Sequence, residues 1–254
     1  MSQLPKFSLL LLFATMTSVA GAQDAPTSVN GEVSASIGVV NKYIYRGGEE
    51  NDDPAVQLGV EYAHNSGVFA GYWGSTLNYD PSDESQNHGF EHDFYIGYGR
   101  ELNENWSYKS QLISYYYQDG GTIYSEDDLD ERRTIGFELL NDVSYKNLTM
   151  GLGVMLDDAS YANAGDVYLS AAYNHPLPKD FSLNTSVGAS IYNDSHDDQL
   201  LNTTESIAFN ETRIGLSKTV AKKIDLSLDY IYGGEDREGS DLDDHVVVGA
   251  TYNF

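Results

Sequence analysis

Acyl transfer needs a Ser or Cys held against a general base, and this chain offers neither in a workable arrangement. It has six His and no Cys, so thiol chemistry and disulfides are excluded. His92 stands in an alternating segment whose next residue on the same face is Phe94, which leaves it without a nucleophile. His64-Asn65-Ser66 reads as a tight turn and His88 as part of a loop, and neither sets a hydroxyl against a base. No His-Glu-x-x-His spacing occurs, so a catalytic zinc site has no support. His196, in Asp194-Ser195-His196-Asp197-Asp198, offers at most a weak metal ligand in a solvated loop. The glycine pairs Gly47-Gly48, Gly120-Gly121 and Gly233-Gly234 are turn formers and match no phosphate-binding loop. The expectation is a protein without catalytic residues, cofactor or dedicated metal site.

Charge is the stronger chemical signal. The chain carries 39 acidic residues against 14 Lys and Arg, a formal charge of −25, which argues against a nucleic-acid partner. About 24 of the 39 acids fall in six loop-like stretches, accompanied there only by Arg237. Runs such as Glu49-Glu50-Asn51-Asp52-Asp53, Glu126-Asp127-Asp128, Asp197-Asp198 and Asp241-Leu242-Asp243-Asp244 form their tips, whereas short connections carry Lys146, Lys179, Lys222 and Lys223. A mouth ringed by carboxylates concentrates cations and repels anions over about 8 Å at physiological salt. The alternative is that acidic loops keep an exposed surface solvated. Loosely bound divalent cations are a third use, although no run has the spacing of an EF-hand loop.

The elements that would place these charges are strands. From Gly31 onward the chain falls into twelve segments of period two: Gly31 to Arg46, Ala55 to His64, Val68 to Tyr79, Gly89 to Leu102, Trp106 to Gln118, Arg132 to Tyr145, Leu148 to Leu156, Asp166 to His175, Phe181 to Tyr192, Thr203 to Lys218, Ile224 to Tyr232 and His245 to Phe254. Apolar residues alternate most clearly at Val56, Leu58, Val60 and Tyr62, at Leu148, Met150, Leu152, Val154 and Leu156, and at Ile224, Leu226, Leu228, Tyr230 and Tyr232. A soluble sandwich would also alternate, so the connections decide. Short ones such as Asn65-Ser66-Gly67 and Lys146-Asn147 alternate with long ones such as Asp119 to Glu131 and Gly233 to Asp244. That rhythm, with an even strand count, predicts an all-β, up-and-down antiparallel membrane β-barrel of about twelve strands, ten or fourteen being the alternatives. Tyr43, Tyr45, Tyr62, Tyr79, Trp106, Tyr145, Tyr230 and Tyr252, near strand ends, are expected in an interfacial aromatic girdle.

The N-terminus fits export. Lys6, the apolar run Phe7 to Val19 and Ala20-Gly21-Ala22 have the three regions of a signal peptide, giving a cleaved segment 1–22, a polar leader 23–30 and a single barrel domain 31–254. The apolar run of about 13 residues is short of the roughly 20 needed by a membrane-spanning helix. The expected location is the bacterial outer membrane, both termini periplasmic, with outer-membrane lipid and lipopolysaccharide as surroundings. The last strand carries Tyr252 and a terminal Phe254, an aromatic end resembling the signal read by barrel-assembly machinery, with periplasmic chaperones as earlier partners.

If the apolar parity faces lipid, the opposite parity lines the lumen: Glu61, Glu91, Asp93, Lys109, Glu138, Asp142, Glu211, Arg213, Asp225 and Asp229, with Lys42 and Arg46 on the first strand. Opposite charges such as Glu138 and Arg213 are expected to pair across the barrel. The excess of acid favours cationic or neutral small solutes in a passive or weakly selective channel. A non-conducting barrel that binds or anchors at the surface is the alternative.

The segment Val40-Asn41-Lys42-Tyr43-Ile44-Tyr45-Arg46-Gly47-Gly48, followed by Pro54-Ala55 and by Gly67-Val68-Phe69-Ala70-Gly71-Tyr72-Trp73-Gly74-Ser75, resembles the opening of the TorF-type porins. The resemblance covers about the first 75 residues and departs at Gly48-Glu49, where a polar Ser or Thr is more usual. It implies an outer-membrane barrel conducting small solutes, and supplies neither a substrate nor catalytic residues.

Overall fold

Hydrocarbon offers a backbone amide no partner, so strands that cross it must be paired on both sides. The computed structural model, which describes residues 30–81, 85–118, 120–124, 131–195 and 200–254, meets that demand by closing on itself. Twelve long strands form the wall: β1 (Gly31–Val40), β4 (Ala55–His64), β5 (Val68–Leu77), β6 (Gly89–Glu101), β7 (Trp106–Tyr117), β10 (Gly136–Tyr145), β11 (Leu148–Met155), β12 (Val167–Leu177), β13 (Phe181–Ile191), β14 (Ile207–Val220), β15 (Ile224–Gly233) and β16 (His245–Asn253). Two small hairpins stand apart from it, β2 (Tyr43–Tyr45) with β3 (Gly48–Asn51), and β8 (Thr122–Tyr124) with β9 (Glu131–Arg133).

Wall strands pair antiparallel in chain order, and β16 returns to β1 from Ser36↔Asn253 to Val40↔Gly249. The seam is stitched beyond the ladder at each end. The Phe254 amide donates to the Ala35 carbonyl at 3.0 Å, and Asn41 both donates to Val246 and accepts from the Val248 amide at 2.6 Å. Short turns lie at one end of the barrel together with Asn30 and Phe254; the long connections lie at the other. The ladder is interrupted only where β13 and β14 slip, between Gly188 and Ala189.

Side-chain parity explains why the sheet closes this way. Val56 and Val60, Met150 and Leu152, and Leu226, Leu228 and Tyr230 point outward and remain exposed, Leu228 at 52%. Their neighbours Gln57, Asp225, Asp229 and Ile231 point inward and are buried. An apolar exterior around a polar interior inverts the order of a water-soluble fold and suits a barrel immersed in lipid. Outward rings gather at both rims: Tyr62, Trp106 and Tyr145 at the short-turn end, with Trp106 and Tyr145 4.8 Å apart, and Tyr116, Tyr230 and Tyr232 towards the long loops.

Three expectations are adjusted. The first strand stops at Val40 instead of running to Arg46, because the chain turns into the barrel there. Tyr43 and Tyr45 consequently leave the girdle, Tyr43 buried and Tyr45 half-buried inside, and Tyr79 leaves it too, packed against the same cluster with its hydroxyl on Glu50. The strand expected from Arg132 starts at Gly136, since Arg132 and Arg133 belong to β9, and that expected from Thr203 starts at Ile207. The signal segment 1–22, the leader up to residue 29, Glu126-Asp127-Asp128, His196 and Asp197-Asp198 lie outside the described residues.

The outward parity gives a direct test. Leu228→Arg, near the middle of β15, should lower the stability of the refolded protein in lipid vesicles by about 2 to 4 kcal/mol, while Arg at the inward neighbour Ser227 costs much less. Urea unfolding followed by tryptophan fluorescence measures both, and equal losses would contradict the assigned faces.

Candidate functional site

The inward hairpin is built from its own turn chemistry. Tyr45 pairs with Gly48 across the two-residue link Arg46-Gly47, and both link residues have positive φ, 50° and 85°. That is the geometry of a type I′ turn, whose twist matches the flanking strands. The hairpin is fixed to the wall by Asn51, which donates to the Thr76 carbonyl at 2.8 Å, by Glu50, which accepts from the Tyr79 hydroxyl at 3.1 Å, and by Asn78, which donates to Asp52. Tyr43 and Ile44 carry it inward by packing with Trp73, Leu77, Ile113 and Tyr115 in a buried apolar cluster; Tyr43 and Trp73 meet edge to face at 5.5 Å.

At the tip Gly47 abuts the Asn210 carbonyl of β14, where a Cβ would collide, so the hairpin spans the lumen to a distant part of the wall. Beside it Arg46 reaches Glu138 on β10, Nη2 lying 2.8 and 2.9 Å from the two carboxylate oxygens. Glu138 is 0% exposed. Its second support is the Tyr115 hydroxyl, donating at 2.6 Å, and that hydroxyl lies 3.3 Å from the Tyr45 hydroxyl. The guanidinium also stands 4.7 Å from the Tyr45 ring centre and 4.2 Å from that of Tyr168, the range in which a cation is attracted to a ring face. Tyr168 then donates to Glu211 at 3.3 Å, and Glu211 accepts from Arg213 at 3.4 Å. A continuous polar chain thus crosses from β7 to β14 through the hairpin tip.

The other inward charges are distributed along the wall. Lys109 on β7 lies among Glu61, Asp142 and the Phe69 ring, 4.6 Å from its centre. Asp225 accepts from Thr219 at 2.6 Å and from Asn253 at 2.8 Å, and Asp229 neighbours Arg213. Glu91 and Asp93 are buried side by side on β6. Lys42 lies past the end of β1 at the long-loop rim, paired with Glu49 at 2.6 Å, while His245 approaches the same carboxylate at 3.6 Å. Towards the short turns the inner surface carries Glu61, Phe69, Lys109 and Asp142 on the β4 to β10 side, and small, half-buried residues such as Gly151, Ser227, Gly249 and Thr251 on the β11 to β16 side.

Two features differ from the sequence-based expectation. Glu138 and Arg213 do not pair with one another: Arg46 takes Glu138 and Glu211 takes Arg213, because the hairpin brings its own cation closer. Lys42 precedes this hairpin and Arg46 forms its turn, instead of standing on the first strand. Sequence reasoning also missed the inner rings of Trp73, Tyr115 and Tyr168. Tyr168 left a signal, standing on the parity opposite to Val167, Leu169 and Tyr173, whereas Trp73 shares its face with Phe69 and Leu77 and Tyr115 shares its face with Ile113 and Tyr117, so both faces of those strands read as apolar. Outside the lumen, the long loops are tied down by arginines. Arg132 donates to Ala159 and Ala162 and pairs with Asp158 at 3.3 Å, while Arg237 pairs with Asp166 and covers the Tyr192 ring at 4.6 Å.

A family model described as "Bacterial protein of unknown function (Gcw_chp)" matches residues 23–247. No curated protein matches the sequence. Among solved structures, the chain is similar to the KdgM porin, with 10% identity over 87% of this chain and 99% of that one, at a TM-score of 0.49. It is also similar to the outer membrane protein OprD from Pseudomonas aeruginosa, with 10% identity, 90% and 66% coverage and a TM-score of 0.42. For OccAB3 of Acinetobacter baumannii the values are 11% identity, 86% and 59% coverage and 0.41. The chain thus spans about two thirds or less of the length of the last two.

Arg46→Ala would leave Glu138 buried without its cation, a loss of about 3 to 5 kcal/mol for a buried pair. That loss should fall on hairpin docking and leave the wall intact. Amide hydrogen exchange in residues 43–51 should accelerate while the wall strands stay protected; unchanged protection of the hairpin would mean that the ion pair does not hold it.

Proposed function

The chain belongs to the Gcw_chp family, bacterial proteins of unknown function, and from that premise we propose that it is an outer-membrane porin-like channel for small solutes, admitting cationic or neutral ones in preference to anions. The observation carrying this reading is the lumen: polar, acid-rich and surrounded by an apolar belt, it is narrowed at one half by an inward hairpin. Buried inward acids Glu91, Asp93, Glu138, Glu211, Asp225 and Asp229 outnumber the inward cations Lys109, Arg46 and Arg213. A low-dielectric wall focuses the field of such charges along its axis.

In this reading the short-turn end and both termini face the periplasm, and the acidic long loops face outward among lipopolysaccharide. The loops repel anions before they reach the constriction and are available for loosely held divalent ions. The segment from Tyr43 to Asn51 supplies the constricting hairpin, and the family model that matches the chain is Gcw_chp, not one of the TorF type. Transport is passive, and no step in it calls for catalysis. Tyr252 and Phe254, edge to face at 5.0 Å beside the closing seam, suit recognition by the barrel-assembly machinery after delivery by chaperones.

A non-conducting surface barrel is favoured by one observation, the apolar cluster of Tyr43, Ile44 and Trp73 at the constricted half. Planar bilayers separate the two. The channel reading expects discrete conductance steps and a cation-selective reversal potential in a salt gradient, with larger steps when residues 43–51 are replaced by a short Gly-Ser link. Silence of both proteins would favour the anchor, and anion selectivity would refute the charge argument. Separately, removal of Phe254 should reduce heat-modifiable, membrane-inserted protein several-fold before altering any conductance property; normal assembly would remove its proposed role.

A further inference from the structure

Glu91 and Asp93 occupy the same inward face of β6, two residues apart and 2% and 1% exposed. In register with them stand Ser75 and Trp73 on β5, and Tyr117 and Tyr115 on β7. Both carboxylate oxygens of Asp93 and Oε2 of Glu91 are buried without a hydrogen-bond donor. The Tyr43 hydroxyl, brought in by the hairpin, is buried beside these carboxylates and leans towards Glu91, with no other partner. Arg46 does not answer them, since it is committed to Glu138 at 2.8 Å. The charges that bear on Asp93 are those of Glu91, Glu50 and Glu138, all acidic.

Buried polar atoms are nearly always paired, and an uncompensated buried charge is costly. Here three carboxylate oxygens lie together without a hydrogen-bond donor beside one buried hydroxyl, all hard donors of the kind that group 1 and group 2 cations prefer. Calcium takes six to eight oxygens. Among the described residues, no three His, Asp or Glu side chains gather as metal ligands, which leaves too few charged donors for a tight divalent site. We propose that Glu91, Asp93 and the Tyr43 hydroxyl form a site for a small monovalent inorganic cation, K⁺ or Na⁺, at the constriction. Its role as a stepping point for permeating cations rests on the channel reading, whereas its binding does not. The site exists only with the hairpin docked, because Tyr43 is one of its ligands.

Trp73, in register with Asp93 and 5.5 Å from Tyr43, is a built-in reporter. The protein has two Trp, so Trp106→Phe leaves Trp73 alone. This variant, refolded in detergent, would be titrated by replacing choline chloride with KCl or NaCl at constant ionic strength, and in a separate series with CaCl₂. The proposal expects a saturable change in Trp73 fluorescence with K⁺ or Na⁺. The apparent affinity should weaken about tenfold or more in Glu91→Gln and in Asp93→Asn, each removing one anionic ligand, and should hold in Asp225→Asn, on the other side of the wall. Heat-modifiable mobility identifies folded variants. Should neither site variant fold, the parent decides alone: K⁺ or Na⁺ in place of choline should raise its urea midpoint, as a ligand bound only by the native state must. No response to either monovalent ion, a response to Ca²⁺ alone, or responses unaltered in both folded site variants would overturn the site. Because no step requires current, a protein that binds but does not conduct refutes the channel alone, and one that conducts but does not bind refutes the site alone.

Discussion

Every other feature depends on the closure of β16 against β1. In lipid an unpaired strand edge exposes a row of amides with nowhere to turn, and each unsatisfied group costs several kcal/mol. The register from Ser36↔Asn253 to Val40↔Gly249 removes that edge, and the Phe254 amide and Asn41 extend the closure beyond the ladder at its two ends. Closure also fixes parity. Once the ring is complete, each strand has one face to hydrocarbon and one to the lumen, so acidic side chains such as Asp229 have only the interior available.

The interior then solves a second problem. A twelve-stranded ring is wider than the eight-stranded barrels whose interiors side chains just fill. The β2–β3 hairpin supplies the missing volume on one half with an ordinary apolar packing of Tyr43, Ile44 and Trp73, and fastens it with the charged contact of Arg46 to Glu138. Gly153 on β11 leaves room for that contact, since a Cβ there would run into the Glu138 carboxylate. The result is a close-packed aromatic and apolar stopper at the long-loop half of the barrel.

Much of this was legible in the sequence, and what was not has a physical explanation. Ala55 to His64 could be read to the residue because alternation begins and ends at clear turn signals, Pro54 and Asn65-Ser66-Gly67. Strand number and loop rhythm followed from the same punctuation. The first strand misled, because Tyr43 and Tyr45 continue its period of two and carry no mark of the inward turn beyond Arg46-Gly47-Gly48, which reads equally well as a loop tip. Parity identifies which charges face inward but not which of them meet: Glu138 and Arg213 are compatible by face, and only the third dimension shows Arg46 nearer. Inner aromatics such as Tyr115 and Tyr168 escaped notice because a period-two reading assigns rings to lipid by habit, whereas a ring at the opposite parity belongs to a core.

The hairpin's contacts carry an implication for the order of events in biogenesis. Its root is local, between β1 and β4, but its tip touches β10, β12 and β14, which lie 92 or more residues along the chain for Glu138 and farther for Tyr168 and Asn210. Those strands are translated later, so the hairpin has no complete berth until most of the wall exists. Docking of the stopper is therefore a long-range event, whose contacts cannot be completed before β10, β12 and β14 are in place.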